Sequence, residues 1–180
     1  MNWAIPFFHL VLAANPADPY HLNKPHKLRH IKTIIKYADR LDQDPYELLA
    51  IAITESHLRP NAISSAGAVG LLQVMCKYWY QRTGYKSIAQ CNQELLKPHK
   101  NVKAGIKVLT TYRKNYEHCK GDFAYRCYFA GQGWIKYRKH SRLSKKIIRY
   151  EKKVRHRREV LHKYYEGLIE DIRSRIKKRS

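Results

Sequence analysis

The sequence predicts a mainly α-helical single domain that ends in a long basic helix, and three observations carry that prediction. Apolar residues recur at helical spacing in separate segments, as in Ile31, Ile34, Ile35, Ala38 and Leu41, and again in Val102, Ile106, Leu109 and Tyr112. No strand-like alternation of any length and no internal repeat is present, which leaves room for at most a small β-element. Beyond Lys136, the residues Ile147, Val154, Leu161 and Leu168 recur every seven positions, the narrow seam of one long helix or two joined ones. At 180 residues and 44% hydrophobic content, the chain can bury one modest core and is globular.

In chain order, Trp3 to Ala14 is a short apolar stretch, too short to span a bilayer but of the length of a signal-peptide core. No Lys or Arg precedes it, and Pro6 and His9 interrupt it, so a cleaved signal and a retained N-terminal segment are both open readings. Asn15 to Pro25 reads as a linker; residues 1–25 are set apart from a body of residues 26–155 and a basic helical tail of residues 156–180. His26 to Gln43 forms the first helix. Asp44-Pro45-Tyr46-Glu47 then supplies an N-cap, a proline at the first helical position and a capping glutamate, so Leu48 to Thr54 runs as a helix into the core.

Glu55 leaves that helix at its C-terminal end. Burial disfavours a charged carboxylate and the negative end of the helix dipole acts in the same sense, so Glu55 should hold its proton unusually well, as a general acid must. The nearest acids in sequence are Glu47, taken as engaged at the helix start, and Glu94; no second carboxylate lies close in sequence. Gly67 and Gly70 permit the positive φ and close backbone approach of a turn beside a groove. Leu71 to Arg82 continues as a short helix whose Tyr78, Trp79 and Tyr80 suit stacking on sugar rings. Asp122 is placed to cap the helix that carries Tyr128.

The Glu55-Ser56 pair, the run Ala62-Ile63-Ser64-Ser65-Ala66-Gly67-Ala68-Val69-Gly70-Leu71-Leu72-Gln73 and the later Tyr128-Phe129-Ala130-Gly131 resemble the three motifs of the soluble lytic transglycosylase (SLT) family. These are lysozyme-like muramidases that cut peptidoglycan without water. Asn101 to Leu109 and Tyr150 to Val154 are weaker echoes of the same family, so the resemblance covers roughly residues 27 to 155. It implies a lysozyme-like fold, Glu55 as the catalytic acid and then base, Ser64 as a residue orienting it, and Tyr128 as a hydroxyl in contact with it. Substrate contacts are implied for Ser56, Gln73, Met75, Phe129, Ala130, Gly131 and Tyr150, with no metal and no cofactor. Cys76 stands where the family usually has Pro, and Phe129 where it has Asn. Restoring that amide by Phe129→Asn is expected to leave turnover unchanged or improve it.

The implied reaction cleaves the bond between N-acetylmuramic acid and N-acetylglucosamine and leaves a 1,6-anhydro-muramoyl end. A goose-type hydrolysing muramidase and a non-enzymatic basic binding or assembly protein on a lysozyme-like body are the competing readings.

The formal net charge is +22, and residues 136–180 hold eighteen Lys or Arg against five acids. Such a field attracts polyanions, whether nucleic acid, an anionic membrane surface or the anionic polymers of a cell wall. Without a basic region joined to full heptads the tail is not a DNA-binding zipper, and no specific nucleic acid is expected. Its removal after Val160 is expected to weaken wall binding while small glycans are still cut. Four cysteines, Cys76, Cys91, Cys119 and Cys127, lack the spacing of a zinc site; they allow three disulfide pairings or free thiols, and Cys76–Cys91 with Cys119–Cys127 is the local pairing. The expected location is the periplasm or cell envelope, or alternatively a phage particle, with secretion-system, pilus or phage components as candidate partners.

Overall fold

The computed structural model describes residues 19–22, 24–137, 139 and 141–178. The apolar stretch from Trp3 to Ala14 lies outside the described residues. The expected linker is structured where it is described: Leu22 is buried in the main core and Tyr20 stacks on Tyr165 of the C-terminal helix, with ring centroids 6.4 Å apart.

Helix α1 (Pro25–Arg40) begins with proline in its first turn and buries Ile31, Ile34, Ile35 and Ala38. Leu41, expected on the same face, follows the last turn and is exposed. Helix α2 (Pro45–Ser56) is capped by Asp44, whose carboxylate accepts from the Tyr46 amide at 2.8 Å. Its residues from Leu48 to Ile53 are buried on every side, which makes it the central helix. Glu47 does not cap it. Its buried carboxylate instead accepts from Arg113 at 2.5 and 2.8 Å and from the Tyr125 hydroxyl at 2.6 Å.

After α2 the chain forms a two-stranded antiparallel sheet, β1 (Ala68–Val69) against β2 (Val74–Met75), with Ala68 opposite Met75 and Val69 opposite Val74. The continuous helix expected from Leu71 to Arg82 is therefore interrupted by β2 and survives only as α3 (Cys76–Trp79). The reason is a tight turn between the strands. Gly70 has φ +81°, and a Cβ there would lie 2.1 Å from the Asn101 amide nitrogen and 2.6 Å from the Leu95 carbonyl oxygen. Helix α4 (Ile88–Glu94) and helix α5 (Pro98–Asn115) follow. Asn101, fully buried on α5, accepts from the Leu72 amide and donates to the carbonyls of Val69 and Leu95, all within 2.9 Å, and so fixes the whole turn.

Helix α6 (Phe123–Ala130) starts after Asp122, whose side chain makes no capping hydrogen bond, and carries Tyr128. A short 3-10 helix (Gln132–Tyr137) leads to α7 (Ser141–Lys177), a single helix of 37 residues. Ile147, Val154, Leu161 and Leu168 are all buried, and the seam packs on the body of the same chain, against α2, α6 and α1. The boundary expected at residue 155 does not coincide with a break in packing. Leu161, Tyr165, Leu168, Ile169 and Ile172 belong to the same apolar cluster as α1 and α2, so the end of α7 completes the core rather than trailing from it.

Both disulfides follow the local pairing, Cys76–Cys91 and Cys119–Cys127. They close a second apolar cluster built around Trp79, Tyr112 and Trp134, and Tyr128 packs against both clusters.

Candidate active site

Glu55 lies in the last turn of α2, half-buried, where the helix ends abruptly in two consecutive left-handed residues, His57 (φ 54°) and Leu58 (φ 63°). Non-glycine residues hold this conformation only where their surroundings impose it, and such strain gathers at functional sites. Here Ser56 imposes it. Its fully buried hydroxyl meets the carbonyls of Leu71 at 2.8 Å and Ala52 at 3.0 Å, tying the end of α2 to the turn between the strands. Ser56 therefore has no surface to offer a substrate, contrary to the expectation from sequence.

The hydroxyl of Tyr150, on α7, donates to Oε1 of Glu55 at 2.5 Å. Burial pushes the Glu55 carboxyl up to about 7, outweighing the Tyr150 hydrogen bond and the charge of Lys153, both of which lower it. Other acids are held elsewhere: Glu47 by Arg113, Glu94 by Lys97 and Lys100, and Glu151 by Arg126. Tyr128 does not make the expected hydrogen bond to Glu55. Its proton goes to the Leu72 carbonyl at 2.7 Å, while burial first and then the nearby Glu55 charge hold its pKa well above the usual range. Tyr150 takes the place expected for Tyr128.

Ser64 is likewise not directed at Glu55. Its hydroxyl accepts from the Ala68 amide at 3.0 Å, and its own amide donates to the Ala68 carbonyl at 2.9 Å, so it braces the loop before β1. Gln73, at φ 47°, donates to the carbonyls of Ala62 and Gly70, both at 3.0 Å. Gln73, Met75, Tyr128, Phe129, Ala130 and Gly131 line one cavity of about 680 Å³ with Tyr78, Arg82 and Gln132. Among the three aromatics expected to stack on sugars, Tyr78 is 65% exposed on this wall, whereas Trp79 is buried edge-on to Tyr112. Tyr80 packs against the second cluster.

Glu55 and Tyr150 adjoin this cavity through Phe129 rather than forming part of its wall. Phe129 is stacked on Tyr150, with centroids 4.8 Å apart and planes 25° from parallel. An Asn at this position would lose that ring contact beside the residue that holds Glu55, so turnover is expected to fall, not to hold or improve as the family pattern alone implies. Each disulfide adjoins a cavity wall: Cys76 follows Met75, and Cys127 precedes Tyr128.

Within α7 more exposed positive charge lies in the half nearer the site than in the expected tail. Arg142, Lys145, Lys146, Arg149, Lys152, Lys153 and His156 are exposed along one face of α7, about 21 Å long at 1.5 Å per residue. Among the described residues these Lys and Arg side chains form no ion pair. Further along, Arg158 pairs with Asp44, Arg173 with Asp39 and Arg175 with Asp171. The basic strip thus passes beside Glu55, through Lys153, whose charge acts on that carboxyl.

Sequence reasoning missed the anchoring roles of Asn101 and Arg113. For Asn101 the available signals were the family echo that begins there and a polar side chain on the helix face of Gly105 and Val108. Comparison with curated proteins gives no match. The family model described as the transglycosylase SLT domain matches residues 32–150, from α1 to the tyrosine that holds Glu55. With its helical body, small sheet and cleft built from the matched segment, the chain belongs to the transglycosylase SLT domain family, whose members are lytic transglycosylases acting on peptidoglycan.

Proposed function

We propose that this chain is a peptidoglycan lytic transglycosylase in which Glu55 acts first as acid and then as base. The observation that carries the reading is a carboxyl group beside the cleft, raised to about 7 by burial and oriented by the Tyr150 hydroxyl. In its protonated form Glu55 gives a proton to the glycosidic oxygen between N-acetylmuramic acid and N-acetylglucosamine, and the C1–O bond breaks toward an oxocarbenium-like centre. The resulting carboxylate then takes the proton from the muramoyl C6 hydroxyl as that oxygen attacks C1. The bond formed is the 1,6-anhydro bridge, and Glu55 ends protonated, ready for the next cycle.

A hydrolysing muramidase needs a further group to hold water. Glu47, Glu94 and Glu151 are each engaged by Arg or Lys, which favours the reaction without water. Gln73, Met75, Phe129, Ala130 and Gly131 are the substrate-facing candidates, and Tyr150 supports the acid, while Tyr128 braces the cleft wall through the Leu72 carbonyl. The basic face of α7 suits attraction to anionic envelope polymers. Two disulfides favour an oxidising location such as the periplasm or envelope.

The test is Glu55→Gln. The amide keeps the shape but cannot give and retrieve a proton, so the folded variant should release no soluble products from purified peptidoglycan. A folded variant that retains more than about a tenth of the rate, far above what remains on removing a general acid, moves the chemistry to another residue.

A further inference from the structure

Another cavity, of about 620 Å³, lies where α2 ends, lined by His26, Lys27, His30, His57, Arg59 and Asn61 among others. Among the described residues no carboxylate lines it. His30 is only 8% exposed, and its Nδ1 has no hydrogen-bond partner among the described residues. A buried polar atom without a partner is unusual in a folded protein and asks for a ligand. The charges around the cavity point to its sign. His57 is pushed below the usual histidine range by burial and then by Arg157, Arg59, Lys153 and Lys27; His30 is pushed down by burial, Arg29 and His26. Cations converge here with no acid among the lining residues to offset them.

The cavity also lies at the end of the helix that carries the proposed acid. His57 is separated from Glu55 only by Ser56, and the charge of Lys153 acts on both Glu55 and His57. Arg59 is held in place by its Nε, which donates to the Ser56 carbonyl at 3.1 Å. Arg157, whose charge faces His57, donates to the Thr54 hydroxyl at 2.7 Å, so both arginines are tied to the last turn of α2.

We propose that this cavity is a binding site for an anionic group, a carboxylate or phosphate, carried by the wall polymer beside the bond that is cut. The inference rests on the peptidoglycan reading for the source of the group, but not for the site. Two sources supply that chemistry: free carboxylates of the peptide attached to the muramoyl residue, and phosphodiesters of a polymer linked to the wall. A group seated there would meet the histidine and arginine donors while the adjoining glycan lies at Glu55.

The full chain with 15N-labelled histidine is titrated with three probes: L-Ala-γ-D-Glu-L-Lys, the same tripeptide with every carboxylate amidated, and a glycerol phosphate oligomer. Saturable shifts of the His30 and His57 ring signals are expected with a charged probe and not with the amidated peptide; the tighter charged probe identifies the source. Arg59→Gln should weaken that binding by about tenfold, the worth of one charge-assisted hydrogen bond. Because Arg59 also contacts the backbone, Asn61→Asp at an exposed position supplies a second variant, which should weaken binding by repulsion. No saturable shift with either charged probe, equal shifts with the amidated peptide, or unchanged affinity in folded Asn61→Asp would overturn the proposal. The titration is also run on Glu55→Gln, so that binding is read without turnover and a failure of the catalytic reading stays distinct from a failure of this one.

Discussion

Replacing Tyr150 by Phe removes one hydroxyl and leaves the ring that stacks on Phe129. In the native site this hydroxyl donates to Glu55 at 2.5 Å and stabilises the charged carboxylate, so its loss must raise the carboxyl pKa. A hydrogen bond to a charged group contributes about 1.5–3 kcal/mol, and one pKa unit corresponds to about 1.4 kcal/mol, which gives a rise of about one to two units. Glu55 is only half-buried, and solvent screening moves the expectation to the lower figure, from about 7 toward roughly 8. In the proposed reaction Glu55 must be protonated to begin the cycle. On that reading the native chain is expected to lose activity as pH rises through about 7, and Tyr150→Phe should carry its high-pH limb upward by about one unit while lowering the maximum rate. Titration of 13C-labelled Glu55 followed by NMR reads the carboxyl directly, and the pH profile of peptidoglycan solubilisation reads its consequence. A carboxyl that titrates at the same pH or lower in Tyr150→Phe would refute the argument that this hydroxyl supports the charged form.

Truncation after Val160 should leave no folded enzyme: it removes Leu161, Tyr165, Leu168, Ile169 and Ile172, each buried. At about 1.5–3 kcal/mol per side chain the loss is on the order of 10 kcal/mol, comparable with the whole stability of a domain, and circular dichroism with thermal melting will show it. A cooperative native-like melt of the truncated chain would restore the view of a separable tail. Phe129→Asn should reduce turnover, because it removes the ring packed on Tyr150 and with it about 1 kcal/mol of aromatic contact; unchanged or faster release of soluble product would return the position to the family pattern. Lys145→Glu, Arg149→Glu and Lys152→Glu together should weaken co-sedimentation with intact walls at low salt and flatten its salt dependence, with cleavage of small soluble glycans retained. Equal binding across salt concentrations for the native and substituted chains would remove the strip from wall attraction.

Helices were legible in the sequence where one face alone decides their placement. Ile31, Ile34 and Ile35 mark α1, and the seven-residue recurrence of Ile147, Val154, Leu161 and Leu168 marks the seam of α7. What that seam packs on is a tertiary fact, and periodicity is silent about it. The same limit explains Glu47: the pattern before α2 is that of a capping box, but Arg113 and Tyr125 arrive from distant helices and bind the carboxylate more strongly than a local amide would. A small β-element was allowed for but its strands were not placed, because each has only two residues, created by the Gly70 turn and the Asn101 hydrogen bonds rather than by alternation. Glu55 was legible only through the Glu55-Ser56 pair and the glycine-containing run after it, since an isolated acid at a helix end is most often a solvated surface group. Its hydroxyl partner was not, since Tyr128 and Tyr150 both bring hydroxyls near Glu55 and only the position of the Leu72 carbonyl separates their roles.

In the proposed reaction the muramoyl C6 hydroxyl, not water, attacks C1 after Glu55 has given its proton. If one carboxyl works alone in a cleft, the muramoyl C6 hydroxyl is held at a high effective concentration and outcompetes solvent. Mass spectrometry of the soluble products from purified peptidoglycan distinguishes the outcomes at each new chain end. Ends lighter by one water, with no new reducing sugar, are the result this account predicts; a majority of reducing N-acetylmuramic acid ends would contradict it and make the enzyme a hydrolase.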